Sequence, residues 1–350
     1  MQMHLIISVL FIITVFLAFL EDRMKDIHKM SILVVYAIIM VLLATTKSID
    51  ENADGAAYEQ LFYDNSNVIV ELATEPTYIY LSRMVLACGG TIVTMFFIYA
   101  MISIPAKLRV LYAMTPSIFT ALVIYIPVYY ELHDLVQIRA AAAATFLLSA
   151  VLFLSRQRTW VAAGFMVIAI LFHYSSIVFL PFLFIGNRRL NQIGRIILGC
   201  TLLAFFALYL SGKDIFLLIP SSYITGKVDA YQQSSEKGMW EMALLYKNAY
   251  YMVKFMLFFV CLYFYNYLVE RNKTAPIFIN LLAASLLAPM LFSSIPVIAS
   301  RLGDLFGIID AIVFTFVLYL VSPRFLARLC ITIVGLYMLI YNMIVSEYFV

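Results

Sequence analysis

Charge is what this sequence has least of. Of its 350 residues, 12% are charged and 64% hydrophobic, whereas a soluble domain is nearer a quarter charged and half apolar. That balance excludes a globular protein with water on every face. Cysteine is equally sparse. Cys88, Cys200, Cys261 and Cys330 all lie inside apolar runs, as small core residues do, and form no disulfide or zinc framework. There is no P-loop, no G-x-G-x-x-G and no polar stretch large enough to fold as a nucleotide-binding domain. No G-x-S-x-G elbow is present, so a serine-nucleophile triad lacks support. Glu131, His133 and Asp134 cluster, but their spacing suits no common zinc motif. No metal, cofactor or nucleic-acid partner is therefore expected. No internal repeat is visible, which removes the pseudo-symmetry of many transporters.

What is present is a series of long apolar runs, near 4–20, 31–46, 81–104, 110–128, 138–154, 196–210, 249–268, 277–293, 305–321 and 329–345. Each is roughly long enough to cross a bilayer. The first has no basic n-region and no small-residue cleavage site, and reads as a retained span. The loops carrying Arg23/Lys25/Lys29, Lys107/Arg109, Arg156/Arg158, Arg188/Arg189/Arg195, Arg271/Lys273 and Arg324/Arg328 are short and basic, which places them in the cytoplasm. The stretch 160–185 has such loops at both ends. About 26 residues cannot make two full spans, but can make two half-helices that dip in and return, breaking at Phe172-His173-Tyr174-Ser175-Ser176. The expectation is one all-α, polytopic membrane domain over 1–350, with about ten full transmembrane helices and a re-entrant hairpin at 160–185. Both termini would lie outside, with two large outer loops, 47–80 and 211–248. The first is acidic and contains Asp54, Glu59, Glu71 and Glu75.

Against this sidedness, three arginines are out of place. Arg83, Arg139 and Arg301 fall at the outer ends of spans. A guanidinium keeps its charge at a membrane boundary, and its fork matches phosphate oxygens two at a time. The trio points to an anionic ligand at the outer face. Arg139 heads the alanine run 140–144, where small residues let helices approach closely and hold it rigidly. The plain alternative is a snorkelling interfacial arginine. Arg301 has Asp304 three residues on, a helical pairing distance. His173 lies at the expected break, where a neutral imidazole can act as base or donor. Glu75, followed by Pro76, sits close to the membrane surface near Arg83.

Several segments together resemble one family. Asp54 with Tyr58, Glu75-Pro76-Thr77-Tyr78, Gln137-Ile138-Arg139, Phe172-His173-Tyr174-Ser175 ahead of Leu180-Pro181, and Ser300-Arg301-Leu302 occur in order over about 50–310. In this they are similar to the EpsG/Wzy-type polysaccharide polymerases of bacterial envelopes. That family's first outer loop usually opens with arginine and has glycine before the aspartate. Here Lys47 is the nearest upstream base and Gly55 follows Asp54.

The resemblance implies a GT-C-like helical fold in the bacterial cytoplasmic membrane, with the active site facing outward. It also implies a glycosyltransferase reaction. A glycan on polyprenyl (typically undecaprenyl) diphosphate would pass to the end of a second lipid-linked repeat unit. Such a donor carries its own leaving group and needs no cofactor. Arg139 and Arg301 would hold the diphosphate; Arg83, which no matching segment covers, joins them on its position alone. His173, Glu75 or Asp54 would take the acceptor's proton, and the sequence does not choose among them. Tyr58, Tyr78, Gln137 and Tyr174 would contact the glycan. The other partners would be membrane lipid and a chain-length regulator. Two other classes stand beside this reading: a flippase for lipid-linked oligosaccharides, and an acyltransferase decorating a surface glycan.

Overall fold

The computed structural model describes residues 2–49, 54–64, 74–211, 248–293 and 295–344. Glu71 in the first expected outer loop, and nearly all of the second, 212–247, lie outside the described residues. Among the described residues all regular structure is helical. Large apolar side chains such as Leu5, Ile12, Phe16, Val34 and Leu42 are exposed. Surfaces of that kind are stable only where lipid replaces water. The chain is a polytopic, all-helical membrane protein, as its composition requires.

Two compact units are present: 1–186 with 310–350, and 187–309. In the first, α1 (Gln2–Leu20) and α2 (Asp26–Thr46) are followed by the short α3 (Gly55–Tyr63), then α4 (Pro76–Ala87) and α5 (Ile92–Met114). Next come α6 (Ile118–Tyr125), a π-helix (Ile126–Val136), α7 (Ile138–Ser155) and α8 (Thr159–Phe172). A 3-10 turn (Tyr174–Phe179) and α9 (Phe182–Ile185) close that stretch. α7 packs on α8 and α5, and α2 on α5. α1 and the last helix of this unit, Arg324–Ile344, pack against α6. Contact with that last helix is close because it presents Gly335: a Cβ there would lie 2.5 Å from the Val123 carbonyl oxygen.

The second unit contains α10 (Gln192–Leu210), α11 (Ala249–Tyr263), α12 (Tyr265–Arg271), α13 (Ala275–Leu291) and α14 (Pro296–Gly307). α13 is its centre, in contact with α14, α10 and α11. The amide of Asn187 donates to the Lys273 carbonyl at 2.8 Å. The basic segments 188–195 and 271–273 therefore lie at one end of this unit. In the first unit Arg328 likewise meets Asp22 at 2.8 Å, and Lys29 donates to the Pro116 carbonyl at 3.1 Å.

The number of spans needs correction. Among the described residues, six helices are long and apolar enough to cross a membrane, or up to eight if each of two bent pairs is one span, not ten. Each difference has a physical cause. The run 249–268 bends by 82° at the α11–α12 junction, and the region of 305–321 bends by 46° after Gly307. The 277–293 run forms a helix of only 17 residues, about 25 Å at 1.5 Å per residue. The 110–128 run is interrupted at Thr115–Ser117 and passes into the π-helix.

The expected Lys107/Arg109 loop is also absent, because α5 runs straight through Pro105 to Met114. Proline inside a membrane helix is tolerated where neighbours satisfy the freed carbonyl. The real turn lies at 115–117, where the Glu21 carboxylate accepts the Phe119 amide at 2.9 Å. At the other end, α5 is separated from α4 by Gly89, whose φ of +74° is a conformation that side chains oppose. The 81–104 run is thus two helices.

Candidate functional site

Three helices of the first unit bring the expected residues together. Glu75 stands at the N-cap of α4, where Pro76 fixes the first turn. His173 ends α8 in extended backbone, at the break expected within Phe172–Ser176. Arg139 lies in the first turn of α7, two residues past Gln137, the residue that joins it to the π-helix.

Glu75 is the hub. Its Oε2 forms an ion pair with Nη1 of Arg139, and its Oε1 lies 2.8 Å from Nδ1 of His173. Only 5% of Glu75 is exposed. Burial alone would raise its carboxyl, but the hydrogen bond from His173 and the Arg139 guanidinium overcome this and hold it down at about 2. Glu75 is therefore a carboxylate, able only to accept. The hydrogen in its bond to His173 belongs to Nδ1, so in the neutral imidazole it is Nε2 that carries the lone pair.

The walls are aromatic. The rings of Tyr58 and Tyr78 lie 5.3 and 5.7 Å from the Arg139 guanidinium carbon, within range of a cation–π attraction. Tyr78 Oη donates to the Tyr58 carbonyl at 2.7 Å, tying α4 to α3. Thr77 donates to the Leu171 carbonyl at 2.8 Å, tying α4 to the end of α8. With one Nη given to Glu75, the Nε–H of Arg139 has no acceptor among the described residues.

Of the remaining expected residues, Asp54 opens α3, its carbonyl accepting the Tyr58 amide at 3.0 Å. Gln137 is at the π-helix–α7 joint, partly buried. Tyr174 follows His173 and is half exposed. Arg83 lies on the exposed side of α4, eight residues beyond Glu75. Arg301 belongs to the second unit, exposed on α14, with Asp304 on the same helix.

Some participants carried no sequence signal. Tyr99 places its ring 6.1 Å from Tyr78 and 5.8 Å from Phe172, but reads as one more apolar residue in a span. Lys107, assigned to a loop, is fully buried and pairs with Asp134 at 2.8 Å. Ser103 and Tyr125 donate to the same carboxylate. The signal for that cluster was the polar run Glu131, His133, Asp134 inside an apolar region, whose spacing fitted no metal.

No match was found among curated proteins or among solved structures. Residues 33–349, nearly the whole chain, match the EpsG family. The chain therefore belongs to the EpsG family, a family of Wzy-type polysaccharide polymerases.

Proposed function

We infer that this protein polymerises lipid-linked oligosaccharide repeat units at the outer face of the bacterial cytoplasmic membrane. The observation that carries this reading is the Glu75 carboxylate bridging Arg139 and His173. It supports a site with a proton acceptor on one side of a carboxylate and an anion ligand on the other.

The acceptor hydroxyl attacks the anomeric carbon of the donor sugar. Its proton passes to Nε2 of His173. The bond from the anomeric carbon to phosphate oxygen breaks, and polyprenyl diphosphate leaves with the electron pair. Glu75 holds the imidazole in the right tautomer and steadies the imidazolium that forms, as the carboxylate of a Ser-His-Asp triad does. His173 is thus the base, and Glu75 the residue that orients it. Asp54 is left to the sugar side of the site.

Arg139 faces the diphosphate with the edge of its fork that Glu75 does not use. Its place in the first turn of an 18-residue helix puts the favourable end of the helix dipole beside the same anion. Arg83 is an outer, weaker ligand of that diphosphate, and Arg301, on the second unit, is read by itself as an anion ligand. Tyr58, Tyr78, Gln137 and Tyr174 supply stacking and hydrogen-bonding surface to the glycan. The 160–185 segment, read as a re-entrant hairpin, carries His173 into the bilayer boundary without crossing it. The donor brings its own activation, so the reaction needs no cofactor.

The test is a gel of cell-surface polysaccharide from strains carrying Arg139→Lys or His173→Ala at normal protein level. Loss of one stabilising contact at developing charge costs about 2.7–4 kcal/mol. The ladder should collapse to single repeat units. A normal long-chain ladder would rule out that residue's role, and absent surface sugar would point to a flippase instead.

A further inference from the structure

Arg139 is delivered by an unusual element. The eleven residues Ile126–Val136 form a π-helix, which Gln137 joins to the helix that carries Arg139. π-helices are rare and mostly single wide turns, frequently at functional sites. A longer one needs support from outside, and this one has it from four other segments. Tyr129 Oη donates to Asp310 at 2.6 Å, Tyr130 Oη to the Met40 carbonyl at 2.7 Å, and Asn342 to Glu131 at 2.9 Å. Asp134 accepts from Lys107 and Tyr125 at 2.8 and 2.7 Å.

The joint with α7 is the critical place. The Gln137 amide still bonds five residues back, to the Leu132 carbonyl at 2.9 Å, whereas the Ala141 amide bonds four residues back, to the Gln137 carbonyl at 2.9 Å. The period of the ladder therefore changes between these bonds. Carbonyls at a helix end lack in-line partners and must find others. The Leu135 carbonyl, four residues before Arg139, is met by the amine of Lys47. Lys47 follows the last residue of α2, is buried, and lies with its Nζ 4.4 Å from the centre of the Phe96 ring. Burial pushes the amine down to about 7, against the pull of the Asp134 and Asp54 carboxylates. Either form of it can donate to a carbonyl.

We propose that Lys47 is a positioning residue, which by binding the Leu135 carbonyl fixes the joint between the π-helix and α7 and so aims Arg139 at the diphosphate of the donor. This rests on the reading of Arg139 given above. The change of period matters because one residue of helical register turns a side chain by about 100° around the axis. A joint free to slip would swing Arg139 away from both Glu75 and its ligand.

The experiment uses the full-length purified protein with a lipid-linked repeat unit as substrate. KM for the donor, kcat and the melting temperature are measured for Lys47→Met, Lys47→Arg, Arg139→Gln and the Lys47→Met/Arg139→Gln pair. Lys47→Met should raise KM roughly tenfold or more, since a misplacement of about 1 Å can cost 100-fold. Lys47→Arg, which can still donate, should stay within about threefold of the parent on the same reasoning. In the Arg139→Gln background, Lys47→Met should add nothing. An unchanged KM for Lys47→Met overturns the proposal, as does the same loss with or without Arg139. If Lys47→Met does not fold, Lys47→Gln takes its place with the same outcomes. If Arg139→Gln polymerises normally, the diphosphate reading fails and the proposal falls with it. If Arg139→Gln is impaired while Lys47→Met is not, only the proposal fails.

Discussion

Oε1 of Glu75 lies 2.8 Å from Nδ1 of His173, a residue 98 positions further along the chain. Neither side chain could be placed this way by its own helix. Glu75 precedes the first turn of α4, and His173 follows the last turn of α8. The bond from Thr77 to the Leu171 carbonyl brings those two helix ends together.

This arrangement predicts a particular acid sensitivity. The Glu75 carboxyl is held at about 2 in the folded protein, against an ordinary 4.5. Its contribution is therefore complete above the ordinary value and is lost as the pH falls from there through the folded value. The difference corresponds to about 3 kcal/mol. Melting temperatures taken in detergent between about pH 6 and pH 3 should fall more steeply for the parent than for Glu75→Gln. Parallel curves would show that Glu75 is not the carboxylate responsible.

The buried Lys107–Asp134 pair should behave differently from a surface ion pair. Lys107→Met or Asp134→Asn alone leaves a charge stranded in the core and should cost about 3–5 kcal/mol. Replacing both, as Lys107→Met with Asp134→Leu, should recover much of that loss. Thermal unfolding of the three variants checks this. A double variant worse than either single one would contradict it.

Close helix packing gives a purely steric prediction. A Cβ at Gly335 would meet the Val123 carbonyl oxygen at 2.5 Å, Val123 Cγ1 at 2.9 Å and Phe11 Cε2 at 3.1 Å. Gly335→Ala should destabilise by about 1–3 kcal/mol through overpacking. At Gly164, in the interior of α8, nothing lies within 4 Å. Gly164→Ala should be neutral or stabilising by up to about 1 kcal/mol. Equal effects at the two sites would refute the packing account.

Much of this architecture is legible in the sequence. Long apolar runs and sided basic loops gave the helical membrane fold. The polar break in 160–185 located the interruption at His173, and the motif Glu75-Pro76 marked a helix start. Lys107 misled because the positive-inside rule counts charges without asking whether each has a buried partner. Its partner, Asp134, is 27 residues away across a turn that the hydropathy pattern put elsewhere. The π-helix was hidden for a related reason. Its anchors at Met40, Lys107, Asp310 and Asn342 come from four other segments, and no local pattern records them. The pairing of Glu75 with Arg139 and His173 is likewise tertiary, and no local pattern marks it.

The central claim is that Glu75 acts through His173 rather than beside it. The direct measurement is a double-mutant cycle on the polymerisation rate of purified protein with a lipid-linked repeat unit, using Glu75→Gln, His173→Gln and both together. Loss of a general base costs about 10²–10⁴-fold, and residues that act as one unit are not additive. The account predicts that the double variant is no slower than His173→Gln alone. Losses that multiply, or a His173→Gln enzyme that polymerises at the parent rate, would contradict it.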